Sequence, residues 1–289
     1  MRYRRIGDVT VSAIGLGGMP LSTPGRPDRE QAIATIHAAL DAGVTLIDTA
    51  DAYTSAADGQ GHNEVLIAEA LQGRSEEVLI ATKGGHVYGR GEWSVNGSPE
   101  HLARSARDSL TRLGGDAIGL YQFHRPDPAV PFEESMGAIR TLLDEGIIRM
   151  AGVSNTSIEQ IRVADDILGG RLVSVQNQFS PVFLSSAAEM DYCAEHEIAF
   201  LPWSPLGGAS RAADVGVGGT GSDGARSAAI AAVAAELEVS PQRVVLAWEL
   251  ALQHTVIPIP GARREASIRD SALAADLVLD ASQLERLSA

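Results

Sequence analysis

The sequence predicts a closed (β/α)8 barrel with a short N-terminal β-hairpin and extra C-terminal helices, residues 1–289 forming a single domain. Three observations predict it. Strand-like and helix-like segments alternate strictly after the hairpin, which implies parallel strands with right-handed crossovers. Eight such units fit into 289 residues, close to the usual size of this barrel. No stretch rich in Pro, Ser or charge reads as a linker. A doubly wound open sheet is the second architecture that such alternation allows.

The elements follow in order. Val9, Val11 and Ala13 alternate with polar residues, and Gly7-Asp8 supplies a turn, so the N-terminus reads as a hairpin. Ala13–Gly17 is the first buried strand. Arg29–Ala42 has helical periodicity, with Asp28 as N-cap and Gly43 as stop. The strand 45–48 and the helix 63–71 come next. The strand 78–82 precedes the helix 99–113, where Ser98 is the cap and Pro99 the first residue. Strands at 118–123, 149–153 and 173–176 are followed by helices at 132–145, 158–168 and 187–195. The seventh strand, 198–202, leads into a long glycine-rich loop and helices at 225–238 and 241–253. Val256–Pro258 is the last strand, and residues 264–275 form the last helix of the series.

Composition narrows the function. Apolar residues are 45% and charged residues 21%, values of a folded globular chain. The net charge of −14 argues against a nucleic-acid partner, which needs a concentrated basic face. The apolar runs are too short to span a bilayer, so no membrane partner is expected. Asp8, Thr10 and Ser12 interrupt the N-terminal apolar run, which speaks against a signal peptide. The single cysteine, Cys193, suits a reducing compartment, and a cytoplasmic location is expected. Of the 23 basic residues, Lys83 is the one lysine. Arginine cannot replace a compact, tunable ammonium, so Lys83 is a candidate for chemistry.

Barrel active sites lie on the loops past the C-terminal strand ends. Those positions here carry Asp48-Thr-Ala-Asp-Ala-Tyr53, Lys83, His124, Ser154-Asn155, Gln176-Asn177 and Trp203-Ser204-Pro-Leu206-Gly207. Taken singly, Asp48 reads equally as a helix cap and His124 as a core histidine. Together, Asp48, Tyr53, Lys83 and His124 suggest proton transfer. A free phenol is a weak acid, and a neighbouring ammonium lowers its pKa. A carboxylate would hold the ammonium, and a histidine would orient a carbonyl oxygen.

DTADAY at 48–53, VLIATK ending at Lys83, QFHRPD around His124, GVSN at 152–155 and IPIPGAR at 257–263 together resemble the aldo-keto reductase superfamily over nearly the whole chain. The resemblance implies a catalytic tetrad of Asp48, Tyr53, Lys83 and His124, with Tyr53 as general acid. It implies reduction of an aldehyde or ketone by NADPH or NADH, bound without a Rossmann domain. Ser154, Asn155 and Gln176 would hold the nicotinamide carboxamide, with Asp48 beside them, and Trp203 would stack on the ring. Gly18, Met19, Ser204, Leu206, Gly207 and Gly261 would line the cofactor. Ala262, Arg263, Arg264, Asp270 and Ser271 would surround the adenosine 2′-phosphate and adenine. Ser267 and Ser271 depart from the family pattern at positions that often carry Arg or Gln, and Asn. Two arginines still favour a dianionic phosphate. The substrate pocket is expected between Tyr53, His124 and the loop 84–97, which holds Tyr88 and Trp93. The segment 54–63, longer than the usual short glycine loop, would reshape the mouth of this pocket.

Other readings of the same residues are weaker. Gly216 to Gly221 match G-x-G-x-x-G, but no strand immediately precedes them, so the segment reads as a loop closing over a pyrophosphate. The histidines are dispersed and no metal-ligand spacing occurs, so no metal is expected. A barrel lyase using Lys83 as Schiff-base nucleophile would leave Trp203 and GVSN without a role. A non-catalytic, cofactor-sensing subunit would bind NADPH without turnover. The physiological substrate and the oligomeric state are not legible.

Overall fold

The computed structural model describes residues 1–89, 91–208, 215–216 and 221–288. A hairpin of β1 (Tyr3–Ile6) and β2 (Val9–Ser12) opens the chain, antiparallel as expected, with Gly7 at φ +57° in its turn. The body then alternates. Strand β3 (Leu16–Gly17) is followed by α1 (Arg29–Asp41), β4 (Leu46–Asp48) by α2 (His62–Ala70), and β5 (Leu79–Gly84) by a second hairpin of β6 (His86–Gly89) and β7 (Glu92–Val95). Helix α3 (Pro99–Leu113), β8 (Ile118–Phe123), α4 (Phe132–Asp144), β9 (Ile148–Ser154), α5 (Ile158–Leu168), β10 (Leu172–Gln176), α6 (Ala187–Glu195) and β11 (Ala199–Phe200) continue the series. Helices α7 (Gly221–Leu237), α8 (Pro241–Leu252), α9 (Glu265–Leu273) and α10 (Ala281–Ser288) complete it.

The caps are those the sequence marks. The Asp28 side chain accepts from the Gln31 amide, and the Ser98 side chain from the His101 amide. Such caps satisfy amides that have no partner within the helix.

Seven parallel strands pair in the order β11-β10-β9-β8-β5-β4-β3. The expected eighth strand at 256–258 is not regular. Pro258 and Pro260 lack the N–H that a ladder needs. The segment closes the ring all the same. The amides of Ile257 and Ile259 donate to the carbonyls of Phe200 and Pro202, and those of Gly15 and Gly17 donate to Pro258 and Pro260 on the other side. Bridges Phe200–Val256 and Gly17–Gly261 mark the seam, so the (β/α)8 barrel is closed and the open-sheet alternative falls away. Two expected strands are also shorter than predicted. Ala13 bonds back to Arg2, which leaves β3 to begin at Leu16, and Pro202 interrupts the ladder after β11.

The barrel interior determines which end is open. Ile6 and Val11 of the first hairpin pack with Leu46, Leu79, Leu120 and Met150. The hairpin therefore plugs the N-terminal end, and the C-terminal strand ends remain as the accessible rim. The loop expected at 84–97 is the β6–β7 hairpin. It arches from that rim, its base tied by Gly97 N–H to Asp127 Oδ2 at 2.8 Å. Residues 217–220 of the G-x-G-x-x-G segment and most of the 207–224 loop lie outside the described residues.

Candidate active site

Four strand ends deliver the central side chains. Asp48 closes β4, Lys83 lies in β5, and His124 follows β8, its amide held by Gly84 O at 2.9 Å. Tyr53 sits on the turn after β4, which is pinned at both ends: the Tyr53 amide donates to Ala50 O, and Tyr53 O accepts from Asn63. Gln176 ends β10.

Lys83 is fully buried, and the ammonium has three acceptors. Nζ donates to Asp48 Oδ2 at 2.8 Å, to Thr49 O at 2.8 Å and to Tyr53 Oη at 3.1 Å. Gln176 Nε2 donates to Asp48 Oδ1 at 2.8 Å, which fixes the carboxylate from the far side. Burial alone would lower the Lys83 pKa. The Asp48 charge and the hydrogen bonds outweigh it and hold the pKa above the ordinary lysine value. A buried ammonium with three acceptors stays charged.

The phenol behaves differently from the sequence expectation. Burial raises the Tyr53 pKa, and the Lys83 charge opposes that rise without overcoming it. Tyr53 is therefore a neutral phenol at pH 7, a proton donor with a cation beside its oxygen. The His124 ring meets the Tyr53 ring edge-on, with centroids 5.7 Å apart. Burial and the Lys83 charge push the His124 pKa well down, so the imidazole is neutral. Its Nδ1 is buried with no partner among the described residues.

The amide side of the rim is also assembled. Ser154 Oγ donates to Gln176 O at 2.7 Å, and Asn155 Nδ2 to His124 O at 3.0 Å. Trp203 Nε1 donates to Asn155 Oδ1 at 3.2 Å. Asn155 and Ser204 both adopt positive φ, 58° and 54°. Strained backbone of this kind persists where the surroundings hold it. Leu206 packs its side chain against the core, which leaves its backbone to the rim beside Gly207.

Gly18 is sterically required. A Cβ there would lie 2.5 Å from Asn63 Oδ1 and 2.8 Å from Asp48 O. Met19 next to it is 41% exposed. At the closing seam Gly261, Arg263 and Arg264 are exposed, while Ala262 and Ser271 are buried. Asp270 is engaged elsewhere: Arg243 Nε donates to Asp270 Oδ1 at 3.1 Å and Ser240 Oγ to the other oxygen, so its carboxylate joins α8 to α9. Segment 54–63 is tied to the stretch before α1, with Arg26 Nη1 on Asp58 Oδ2 at 2.6 Å.

Three residues escaped the sequence reading. His86 stands at the base of the β6–β7 arch with its ring 4.3 Å from His124 and 5.5 Å from Trp93. Tyr88 pairs with Trp93 across the arch, 4.9 Å apart. A histidine three positions past Lys83, in a loop already marked for Tyr88 and Trp93, was the available signal. Asn63 donates to Gly18 O at 2.9 Å and accepts from Thr49 Oγ1 at 2.6 Å. Asp51, the second acid of DTADAY, is buried behind Tyr53. Burial of a polar residue leaves no periodicity that would betray it. No group of three His, Cys, Asp or Glu among the described residues is arranged to hold a metal.

A barrel whose rim carries this Asp–Lys–Tyr–His cluster defines a class, and the family comparison agrees: the aldo/keto reductase family model matches residues 13–289. The chain belongs to the aldo/keto reductase family, and so to the oxidoreductases. It is 33% identical over 288 residues to an uncharacterised oxidoreductase of Schizosaccharomyces pombe, covering 98% of this chain and 88% of the relative. It is 32% identical over 278 residues to a 6-dehydroglucose reductase of Novosphingobium aromaticivorans, covering 93% and 89%. Among solved structures, an aldo/keto reductase from Klebsiella pneumoniae in complex with NADP and acetate superposes with TM-score 0.78 at 26% identity, covering 99% of this chain and 94% of that one.

Proposed function

We propose that this chain, acting as a single domain, is an NADP(H)-dependent reductase of aldehydes or ketones, reversible as an alcohol dehydrogenase. The observation that carries the reading is the buried Lys83 ammonium shared between Asp48 and Tyr53 Oη, with neutral His124 edge-on to the phenol. The NADP complex of the Klebsiella relative supports the cofactor.

The rim residues fit such a cofactor. Ser154, Asn155 and Gln176 form one hydrogen-bonded amide cluster beside Asp48. Arg263 and Arg264 are exposed, and neither makes an ion pair among the described residues, so both are available to a 2′-phosphate. Bound NADPH supplies the hydride for the carbonyl carbon. Tyr53 gives its Oη proton to the carbonyl oxygen as negative charge develops there. Lys83 steadies the phenolate left behind, Asp48 anchors Lys83, and Gln176 anchors Asp48. His124 orients the carbonyl oxygen. The Schiff-base reading loses support, because a nucleophilic lysine must be neutral and Lys83 is held charged.

The test follows NADPH absorbance over a panel of aldehydes and ketones. Tyr53→Phe should lower kcat by at least about a hundredfold, the scale of general-acid catalysis, with NADPH affinity unchanged. Retained turnover on every accepted carbonyl would overturn the mechanism. NADPH binding without turnover by the native chain would point to the cofactor-sensing subunit. Arg263→Ala with Arg264→Ala should weaken NADPH by about tenfold or more while leaving NADH nearly unchanged.

A further inference from the structure

Behind Tyr53 and Lys83 lies a buried polar cluster that the proposed proton transfer does not use. Its centre is Asp51, 1% exposed. The Asp51 backbone is clamped on both sides: its amide donates to Lys83 O at 3.2 Å, and its carbonyl accepts from Gly61 N–H at 2.6 Å. The carboxyl reaches the neighbouring helix, where Ser105 Oγ of α3 donates to Oδ2 in a very short contact. Gln60 Nε2 donates to the same oxygen at 3.2 Å. Oδ1 is buried and has no partner among the described residues.

The surroundings make this carboxyl responsive. Helix α2 presents Glu64, which is itself bound by Arg112 of α3 at 2.6 Å and by Thr82 of β5 at 2.5 Å. Strand β8 presents the Tyr121 hydroxyl, and the active-site turn presents Tyr53 and Asp48. The Arg112 charge is largely committed to Glu64, so Asp51 has no cation of its own. Burial raises the Asp51 pKa to about 7, with the Ser105 hydrogen bond working against that rise. Its charge in turn raises the pKa of Tyr53.

We propose that Asp51 is a positioning residue: it ties the turn bearing Asp48 and Tyr53 to β5 and α3, and its charge sets how readily Tyr53 releases its proton. The inference rests on Tyr53 being the proton donor. Protonated Asp51 leaves Tyr53 under the opposed charges of Lys83 and Asp48. Ionised Asp51 adds a negative neighbour and makes the phenol a weaker acid. Reduction would therefore favour the pH range where Asp51 is neutral, and alcohol oxidation would feel its ionisation as a brake on forming the phenolate base.

The test uses the full chain in three measurements. In Asp51→Asn the alkaline limb of the kcat/KM profile for reduction should move to lower pH by about one unit, as expected for one charge removed at short range. Carboxyl 13C NMR of the native protein should show one Asp titrating near pH 7, absent in Asp51→Asn. In Ser105→Ala, which keeps the carboxyl, that titration should move to higher pH because a bond to the ionised form is lost. Ser105→Ala keeps the proposal testable if Asp51→Asn fails to fold. A profile superimposable on that of the native enzyme, or a titration unmoved in Ser105→Ala, would overturn the proposal. If Tyr53→Phe stays active, the proton-donor reading fails instead, and the NMR titration still reports on Asp51.

Discussion

Lys83 carries the most consequence of any side chain in the protein. Its three donors are matched by Asp48, Thr49 O and Tyr53 Oη, and no part of it reaches solvent. An arginine at that position keeps the charge but needs a wider, planar donor fork. The fork would push the phenol away from its place, and a misplacement on the order of 1 Å costs about a hundredfold in rate. Overpacking a buried site also costs about 1–3 kcal/mol. Lys83→Arg should therefore lose at least about a hundredfold in kcat and melt at a lower temperature, with NADPH affinity little changed. Steady-state kinetics, calorimetry and a cofactor titration check the three parts, and full activity in the variant would reduce the single lysine to an accident of composition.

At the scale of the element, the β6–β7 arch is anchored at its base and aromatic on its face. Its base is held by a backbone bond, Asn96 N–H to Gly85 O at 2.8 Å, and by Gly97 N–H to the Asp127 carboxylate at 2.8 Å. Its aromatic face joins Tyr88, Trp93 and His86, and His86 in turn meets His124. Burial and the Arg125 charge bring the His86 pKa down to about 4, so this imidazole is uncharged at neutral pH. Trp93 is 45% exposed, more than a side chain pinning the loop to the barrel would be. An apolar wall with few polar groups suits a small organic carbonyl compound. Trp93→Ala should change KM unequally across a carbonyl panel while the melting temperature stays within a degree or so, since surface substitutions usually cost under about 0.5 kcal/mol. A lowered melting temperature with unchanged substrate ranking would assign Trp93 to stability alone.

Across the whole molecule, the two ends of the barrel have different tasks. The N-terminal hairpin seals one end with Ile6 and Val11 against Leu46, Leu79 and Leu120. The cluster of Asp48, Tyr53, Lys83 and His124 lies at the other end. Ile6→Ala removes buried methyl groups and leaves a cavity, a loss of about 2–5 kcal/mol. At roughly 2–4 °C per kcal/mol for a chain of this order, the melting temperature should fall by about 4–20 °C. Turnover per folded molecule should be unchanged. A kcat that fell with stability would mean that the plug also shapes the rim. No helix among the described residues is long and apolar enough to cross a membrane.

The alternation of strand and helix, the caps at Asp28 and Ser98, and the placement of Asp48, Tyr53, Lys83 and His124 past strand ends were legible in the chain alone. Local physics decides them: apolar periodicity, capping oxygens and the rule that loops past parallel strands face one rim. The seam was misread, because two prolines remove ladder donors while their carbonyls still close the ring. Loop 84–97 carries glycines at 89 and 91 between two short runs, a turn signal from which its hairpin could have been read. The state of Tyr53 was also beyond local reading. A nearby ammonium was foreseeable, yet the phenol's pKa depends on how completely the ring is desolvated, and burial outweighs the charge. Asp51 and Asp270 show the same division. Side by side in the sequence with residues of the site, one turns inward to Ser105 and the other across to Arg243. The chain alone determined which groups reach the rim. Only the tertiary structure decided which of them are desolvated and which charge each one meets, because both depend on neighbours far away along the chain.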